Sequence, residues 1–84
     1  MYLFIGNDTV LFEREVIGIF DLDKSTVSQT TRKYLKAASD SGDVEAVADE
    51  LPKSFTVCEN GGRQTVYLSP ISVQTLYLRS ERPL

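Results

Sequence analysis

A run of apolar residues, Val16–Leu22, precedes the longest amphipathic segment of the chain. The run contains β-branched and aromatic side chains and has apolar groups on both of its faces, which is typical of an inner strand. Gly18 interrupts it, and glycine inside a strand indicates a bulge or the close approach of another element. The pattern therefore predicts a strand at 16–22 in the middle of a sheet.

A helix is predicted to follow this strand. Thr26 and Gln29 have the spacing of a capping box, so the helix should begin near Thr26. Apolar or small side chains then recur every three or four residues and form one core-facing stripe. The stripe consists of Val27, Thr31, Tyr34, Leu35 and Ala38.

The opposite face of this helix is basic. Arg32, Lys33 and Lys36 lie about half a turn from the apolar stripe, at roughly 100° per residue. These charges have two interpretations: a solvated face whose cations suit the negative end of the helix dipole, or a surface that binds a partner.

The N-terminal segment predicts two short strands. Tyr2–Ile5 and Thr9–Phe12 are apolar runs separated by a turn cluster, so we expect an antiparallel hairpin. A charged break at 13–15 leads to the strand at 16–22, and three strands in close succession suggest a meander. The first strand is apolar on both faces, which indicates either core burial or a subunit interface.

The segment after the helix is ambiguous. Residues 44–48 fit either a short helix or an edge strand, and we favour the strand. Pro52 should then force Leu51 into an extended geometry and end whatever precedes it.

The C-terminal part contains a strong hairpin signal. Ser54–Glu59 and Gln64–Leu68 flank an Asn-Gly pair, and Phe55, Val57, Val66 and Leu68 should share one face. Ser72 is a candidate cap of a second helix, with Ile71 and Leu76 in the positions of a hydrophobic staple.

The predicted fold class is α+β. A small antiparallel sheet, made of the N-terminal meander and the C-terminal hairpin, packs with one main amphipathic helix and a short C-terminal helix in a single domain of residues 1–84.

Composition limits the function classes. With 84 residues, of which 42% are hydrophobic and 25% charged, the chain predicts one small folded domain. A domain of this size buries only about 60% of its unfolded surface, and oligomerisation would help to stabilise it. The chain has no export signal at its N-terminus and no apolar run long enough for a membrane span, so we expect a cytoplasmic protein that does not contact membranes.

The chain contains few residues of the types that catalytic and metal-binding sites need. The chain has no histidine and one cysteine, Cys58, so the usual zinc and copper ligand sets and a histidine base are missing. Asp21 and Asp23 are better explained as turn and cap residues than as cation ligands. We expect no cofactor, no metal, no small-molecule substrate and no enzyme activity.

The charge is unevenly distributed. The net charge is −3, but five acidic residues lie in the segment 40–50, and the rest of the chain carries nine basic and seven acidic residues. The rest of the chain therefore has a net charge of +2, which favours a locally positive surface. The candidate phosphate contacts are Arg32, Lys33, Lys36, Lys53, Arg63, Arg79 and Arg82. Each contact adds little alone, so a repeated array of one basic face would bind a duplex far better than a monomer.

Several segments together resemble a known family. They are Met1–Gly6, Val16–Leu22, Leu51–Phe55 and Val66–Ser72, and their order and spacing are similar to those of the RemA/RemB family of bacterial extracellular-matrix regulatory proteins, once filed as a domain of unknown function. The resemblance covers nearly the whole chain.

The resemblance implies a small cytoplasmic α+β protein linked to transcriptional control of biofilm matrix genes. RemA-like relatives form closed rings and present arginines to the DNA backbone, with an arginine pair before the strand that corresponds to Phe55 onward. Here that position reads Leu51-Pro52, followed by Lys53, so the arginine pair is not carried over.

These observations lead to two hypotheses. The first is an oligomeric RemB-like regulator that binds double-stranded DNA, or assembles with a RemA-like relative that does, with Lys53, Arg32, Lys33, Lys36 and Arg63 as candidate contacts. The second is a self-assembling interaction module with no nucleic-acid role.

Overall fold

The structure is a computed structural model that describes residues 2–6, 9–22 and 29–79. Six strands and two helices occur in this part of the chain. Their bounds are β1 Tyr2–Gly6, β2 Thr9–Phe12, β3 Val16–Asp21, α1 Gln29–Asp40, β4 Val44–Ala46, β5 Ser54–Asn60, β6 Arg63–Ser69 and α2 Val73–Arg79. A 3-10 turn, Glu13–Glu15, joins β2 to β3. The predicted α+β class is confirmed.

The strands form two sheets. β1 and β2 pair as an antiparallel hairpin, and the main sheet has four strands in the order β3-β5-β6-β4. β5 is antiparallel to both β3 and β6, whereas β4 is parallel to β6. The edge strand expected within 44–48 is confirmed, and the alternative of a short helix there is wrong.

The N-terminal meander was a wrong prediction. β3 pairs with β5 and not with β2. The 3-10 turn between β2 and β3 buries Glu13, which is 6% exposed. This turn redirects the chain, so that the hairpin covers one face of the main sheet.

The central position predicted for β3 is also wrong, because the strand lies at an edge of the main sheet. One side of β5 is taken by β6 through their two-residue turn, which leaves β3 on its other side. The apolar residues on both faces of β3 instead reflect the layers above and below the sheet.

Gly18 marks a bulge. Val16 is opposite Cys58 and Gly18 is opposite Val57, so one extra residue, Ile17, stands between them. A Cβ on Gly18 would lie 2.7 Å from the ring of Phe20, which stacks on Phe55 with 5.0 Å between ring centroids. Glycine at this position therefore gives room to a neighbouring aromatic ring.

The main sheet separates two clusters of apolar side chains. On one face it meets the hairpin and α2, through Leu3, Ile5, Leu11, Val16, Ile19, Val47, Cys58 and Leu76. On the other face it meets α1, through Phe55, Val57 and Val66, with Leu35 and Ala38 of the helix packed against them. The fold thus has three layers, with α1 and the hairpin on opposite sides of the main sheet.

The predicted C-terminal hairpin and the Ser72 cap are confirmed. Gly61 and Gly62 form the turn between β5 and β6, and both have a positive φ, which suits a two-residue hairpin turn. Ser72 caps α2, since its Oγ accepts a hydrogen bond from the N–H of Thr75 at 3.3 Å.

Some predictions concern residues outside those described. The capping residue Thr26, the stripe residue Val27, Asp23 and the candidate contact Arg82 all lie there.

Candidate nucleic-acid interface

The three cations of α1 lie together on its outer face. Arg32, Lys33 and Lys36 are all exposed, because the opposite side of the helix packs on the main sheet through Leu35 and Ala38. Lys36 Nζ is 3.5 Å from Asp40 Oδ2 one turn away, an exposed pair that contributes little. Arg32 and Lys33 form no ion pair with a described residue, so their charge is available to a polyanion.

Lys53 lies at a different place in the fold. It follows Pro52 in the segment between β4 and β5, and its side chain is exposed. Its backbone is fixed on both sides: its N–H donates to the carbonyl of Ser69 at 2.8 Å, and its carbonyl accepts from the N–H of Leu22 at 3.0 Å. The ammonium group therefore extends from a rigid end of the main sheet.

Arg63 is committed to an internal contact. Its Nη2 and Nε donate to Asp43 Oδ1 at 2.9 and 3.2 Å, which connects the start of β6 with the residue before β4. Asp43 also accepts a backbone hydrogen bond from the N–H of Val66 through its carbonyl. Because Asp43 neutralises the guanidinium, Arg63 offers less charge to a phosphate than the cations of α1 do.

Two further arginines lie near the hairpin. Arg79 Nη1 donates to the carbonyl of Phe4 at 3.3 Å and its guanidinium lies 5.7 Å from the Phe4 ring centroid. The guanidinium of Arg14 lies 5.3 Å from the ring centroid of Phe12. Sequence reasoning missed Arg14 because it stands between two glutamates. The aromatic residue two positions before it, Phe12, was the available signal.

The basic residues of α1 and those beside the hairpin form two separate groups, and Lys53 and Arg63 belong to neither. The cations of α1 lie on one side of the main sheet, whereas Arg14 and Arg79 lie beside the hairpin on the other side.

A cleft with a volume of about 390 Å³ lies between β2 and the β5–β6 hairpin. Glu15, Cys58, Arg63 and Tyr67 are among its lining residues. Burial raises the pKa of the Tyr67 hydroxyl, and the charges of Glu45, Cys58 and Glu15 raise it further. Tyr67 therefore remains a neutral hydrogen-bonding group at physiological pH.

Comparison with known proteins decides the family. No model of a protein family matches the chain. Extracellular matrix regulatory protein B of Bacillus subtilis (strain 168) is 33% identical to it over 81 residues, which cover 96% of this chain and 91% of the relative. The chain belongs to the extracellular matrix regulatory protein B family. The resemblance identified from the sequence is thereby confirmed.

In this member of the extracellular matrix regulatory protein B family, Leu51, Pro52 and Lys53 lie between β4 and β5. Leu51 is 87% exposed and Lys53 is also exposed, so these residues form a surface segment beside the main sheet. An apolar side chain therefore faces solvent next to the exposed Lys53.

The described part of this family member contains no helix with the length and apolar character of a membrane span. Nor do the described residues contain a group of three or more side chains that could hold a metal ion.

Proposed function

We propose that this protein regulates extracellular-matrix gene expression in bacteria by contacting the phosphate backbone of double-stranded DNA as an oligomer. The kinship with extracellular matrix regulatory protein B supports the biological role. The observation that carries the proposal is the exposed cluster of Arg32, Lys33 and Lys36 on the outer face of α1.

The proposed mode of contact is independent of base sequence. Guanidinium and ammonium groups on one helix face release counterions from the phosphates they meet. Lys53 supplies a further cation on a rigid backbone. A protomer with a net charge of −3 binds weakly through so few contacts, and several copies on one duplex raise the apparent affinity because later contacts become intramolecular.

The test is a duplex-binding titration at several salt concentrations. The variant Arg32→Gln plus Lys33→Gln removes two charges that have no ion-pair partner among the described residues. We expect binding to weaken about tenfold or more at low salt, and the slope of log K against log salt to fall by about 2 per bound protomer. Adding Lys53→Gln should weaken binding further.

A matched control changes the net charge equally. Asn60→Asp plus Gln74→Glu also makes the chain more negative by two charges at exposed positions, outside α1. Its affinity should stay within about twofold of the wild-type value, because exposed charges far from the contact are largely screened. Equal losses in both variants, or no wild-type binding at low salt, would refute the proposed contact.

A second candidate function is a self-assembling interaction module that binds no nucleic acid itself and associates with other proteins, including a DNA-binding relative of the RemA kind. The exposed apolar side chains of the hairpin and the negative net charge favour it. Light scattering coupled to size-exclusion chromatography separates the two functions when combined with the titration. Assembly without duplex binding would support the second.

A further inference from the structure

The outer face of the β1–β2 hairpin exposes a contiguous apolar surface. Cross-strand pairing places Tyr2 opposite Phe12 and Phe4 opposite Val10. These four side chains, which we call the hairpin face, are 67%, 42%, 43% and 48% exposed in that order. The rings of Tyr2 and Phe12 are 5.0 Å apart at their centroids. Leu3 and Ile5 take the inner face, so the outer side chains have no core to pack in.

Two arginines border the hairpin face. Arg14 lies against Phe12 and Arg79 against Phe4, and neither forms an ion pair with a described carboxylate. Aromatic residues combined with arginine are enriched at protein–protein interfaces and among the residues that dominate binding energy. The hairpin face therefore has the composition of an interface and needs an acidic, partly apolar partner.

The chain itself carries such a surface. Glu45, Asp49 and Glu50 are exposed and form no ion pair with a described lysine or arginine, and Leu51 next to them is 87% exposed. We call Glu45–Leu51 the acidic segment. It combines negative charge with an exposed aliphatic side chain, which complements the charge and apolar character of the hairpin face.

We propose that the hairpin face of one copy docks on the acidic segment of a second copy, in a head-to-tail contact. A two-fold contact between two hairpin faces would instead bring Arg14 and Arg79 of both copies together, and like charges across an interface are unfavourable. The exposed cations of α1 are a weaker partner for the acidic segment, because the outer face of α1 has no large apolar side chain to bury beside them.

This inference deepens the proposed function and rests on its claim that the chain acts as an oligomer. Head-to-tail contacts use a different surface on each copy and can extend to further copies. Because α1 lies on the other side of the main sheet from the hairpin, docking through the hairpin face does not cover Arg32 and Lys33 of the copy that supplies that face.

The experiment uses charge reversal on each surface and light scattering of the full chain. One variant carries Arg14→Glu plus Arg79→Glu, and the other carries Asp49→Lys plus Glu50→Lys. Each variant alone should run as a monomer where the wild type runs at a multiple of the monomer mass. An equimolar mixture should regain the larger mass, because every contact between unlike copies joins opposite charges.

Controls separate this contact from loss of the fold and from the proposed function. Arg32→Glu plus Lys33→Glu makes the same charge change as the arginine variant but on α1, and should assemble like the wild type. Circular dichroism checks that the variant with Arg79→Glu is folded. The Asp49→Lys plus Glu50→Lys variant tests the contact independently, because it changes exposed residues that form no described ion pair.

Three results would overturn the inference. They are a monomeric wild type at high concentration, charge-reversed variants that assemble like the wild type, and a mixture that fails to regain mass. Binding of a single-stranded oligonucleotide that Tyr2→Ser abolishes, without any effect on mass, would assign the hairpin face to nucleic acid instead. A monomeric variant that binds duplex as tightly as the wild type would confirm the contact and refute the role of assembly in DNA binding.

Discussion

The two layers that cover the main sheet differ in depth of burial and in the character of their outer faces. On the hairpin side, Leu3, Ile5 and Leu76 are at most 1% exposed. On the α1 side, no described residue of the helix is fully buried, and Leu35 and Ala38 are only half-buried. The outer face of α1 is polar and basic, whereas that of the hairpin is apolar. Exposed apolar side chains nevertheless occur on both sides of the main sheet: the hairpin face on one side, and Ile17, Phe20 and Tyr34 beside α1 on the other. The exposed cations of α1 lie on the more loosely packed side.

The largest expected effect on the free energy of unfolding comes from shortening one apolar side chain in each layer that covers the main sheet. Leu76→Ala removes a fully buried side chain of α2 and should lower the free energy of unfolding by about 3 kcal/mol. Leu35→Ala removes a half-buried side chain of α1 and should cost about 1 kcal/mol. Urea denaturation at equal protein concentration measures both. Equal losses would mean that the two layers contribute alike.

The second-largest expected effect on stability comes from removing buried hydroxyl groups on the hairpin side of the main sheet. Ser69 Oγ donates to the carbonyl of Ile5 and accepts from the N–H of Ile71, so Ser69→Ala should cost about 2 kcal/mol by leaving buried backbone groups unpaired. Thr56 Oγ1 is buried and has no hydrogen-bond partner among the described residues, so Thr56→Val should be neutral or stabilise by about 1 kcal/mol. Thermal unfolding of both variants distinguishes them by sign. Destabilisation by Thr56→Val would show that this hydroxyl has a partner in solution.

The smallest effect is the contribution of Tyr67 to the pH dependence of stability. Burial raises the pKa of Tyr67 in the folded state, with smaller contributions from Glu45, Cys58 and Glu15. A raised folded-state pKa means that the stabilisation is complete below the unfolded value of about 10 and is lost as pH rises through the folded value. Urea midpoints between about pH 8 and 11 should fall less in Tyr67→Phe than in the wild type. Parallel curves would contradict this source of the pH dependence.

Local sequence signals predicted the elements of this fold well. The Asn60-Gly61 signal, the Ser72 cap and the alternation of apolar residues in β5 and β6 depend on neighbouring residues, and all are confirmed. The apolar stripe of α1 was likewise correct in its direction, since Leu35 and Ala38 pack on the main sheet.

The candidate site was predictable only in part. The helical period placed Arg32, Lys33 and Lys36 on one exposed face without any knowledge of the tertiary structure. The ion pair of Arg63 with Asp43 joins residues 20 positions apart, and the proximity of Arg79 to Phe4 spans 75 positions. Such contacts depend on strand order, which no local pattern encodes.

The sequence by itself determined where strands, turns and helices occur, which face of α1 is charged, and that the charge is segregated along the chain, because each of these follows from side-chain type and short-range spacing. The tertiary structure alone decided that β3 is an edge strand, that the hairpin covers the main sheet instead of extending it, and that the two basic groups lie on opposite sides. The physical reason is that sheet order is set by which distant segments bury each other's apolar faces, and a strand with apolar residues on both faces satisfies that requirement at an edge as well as in the centre.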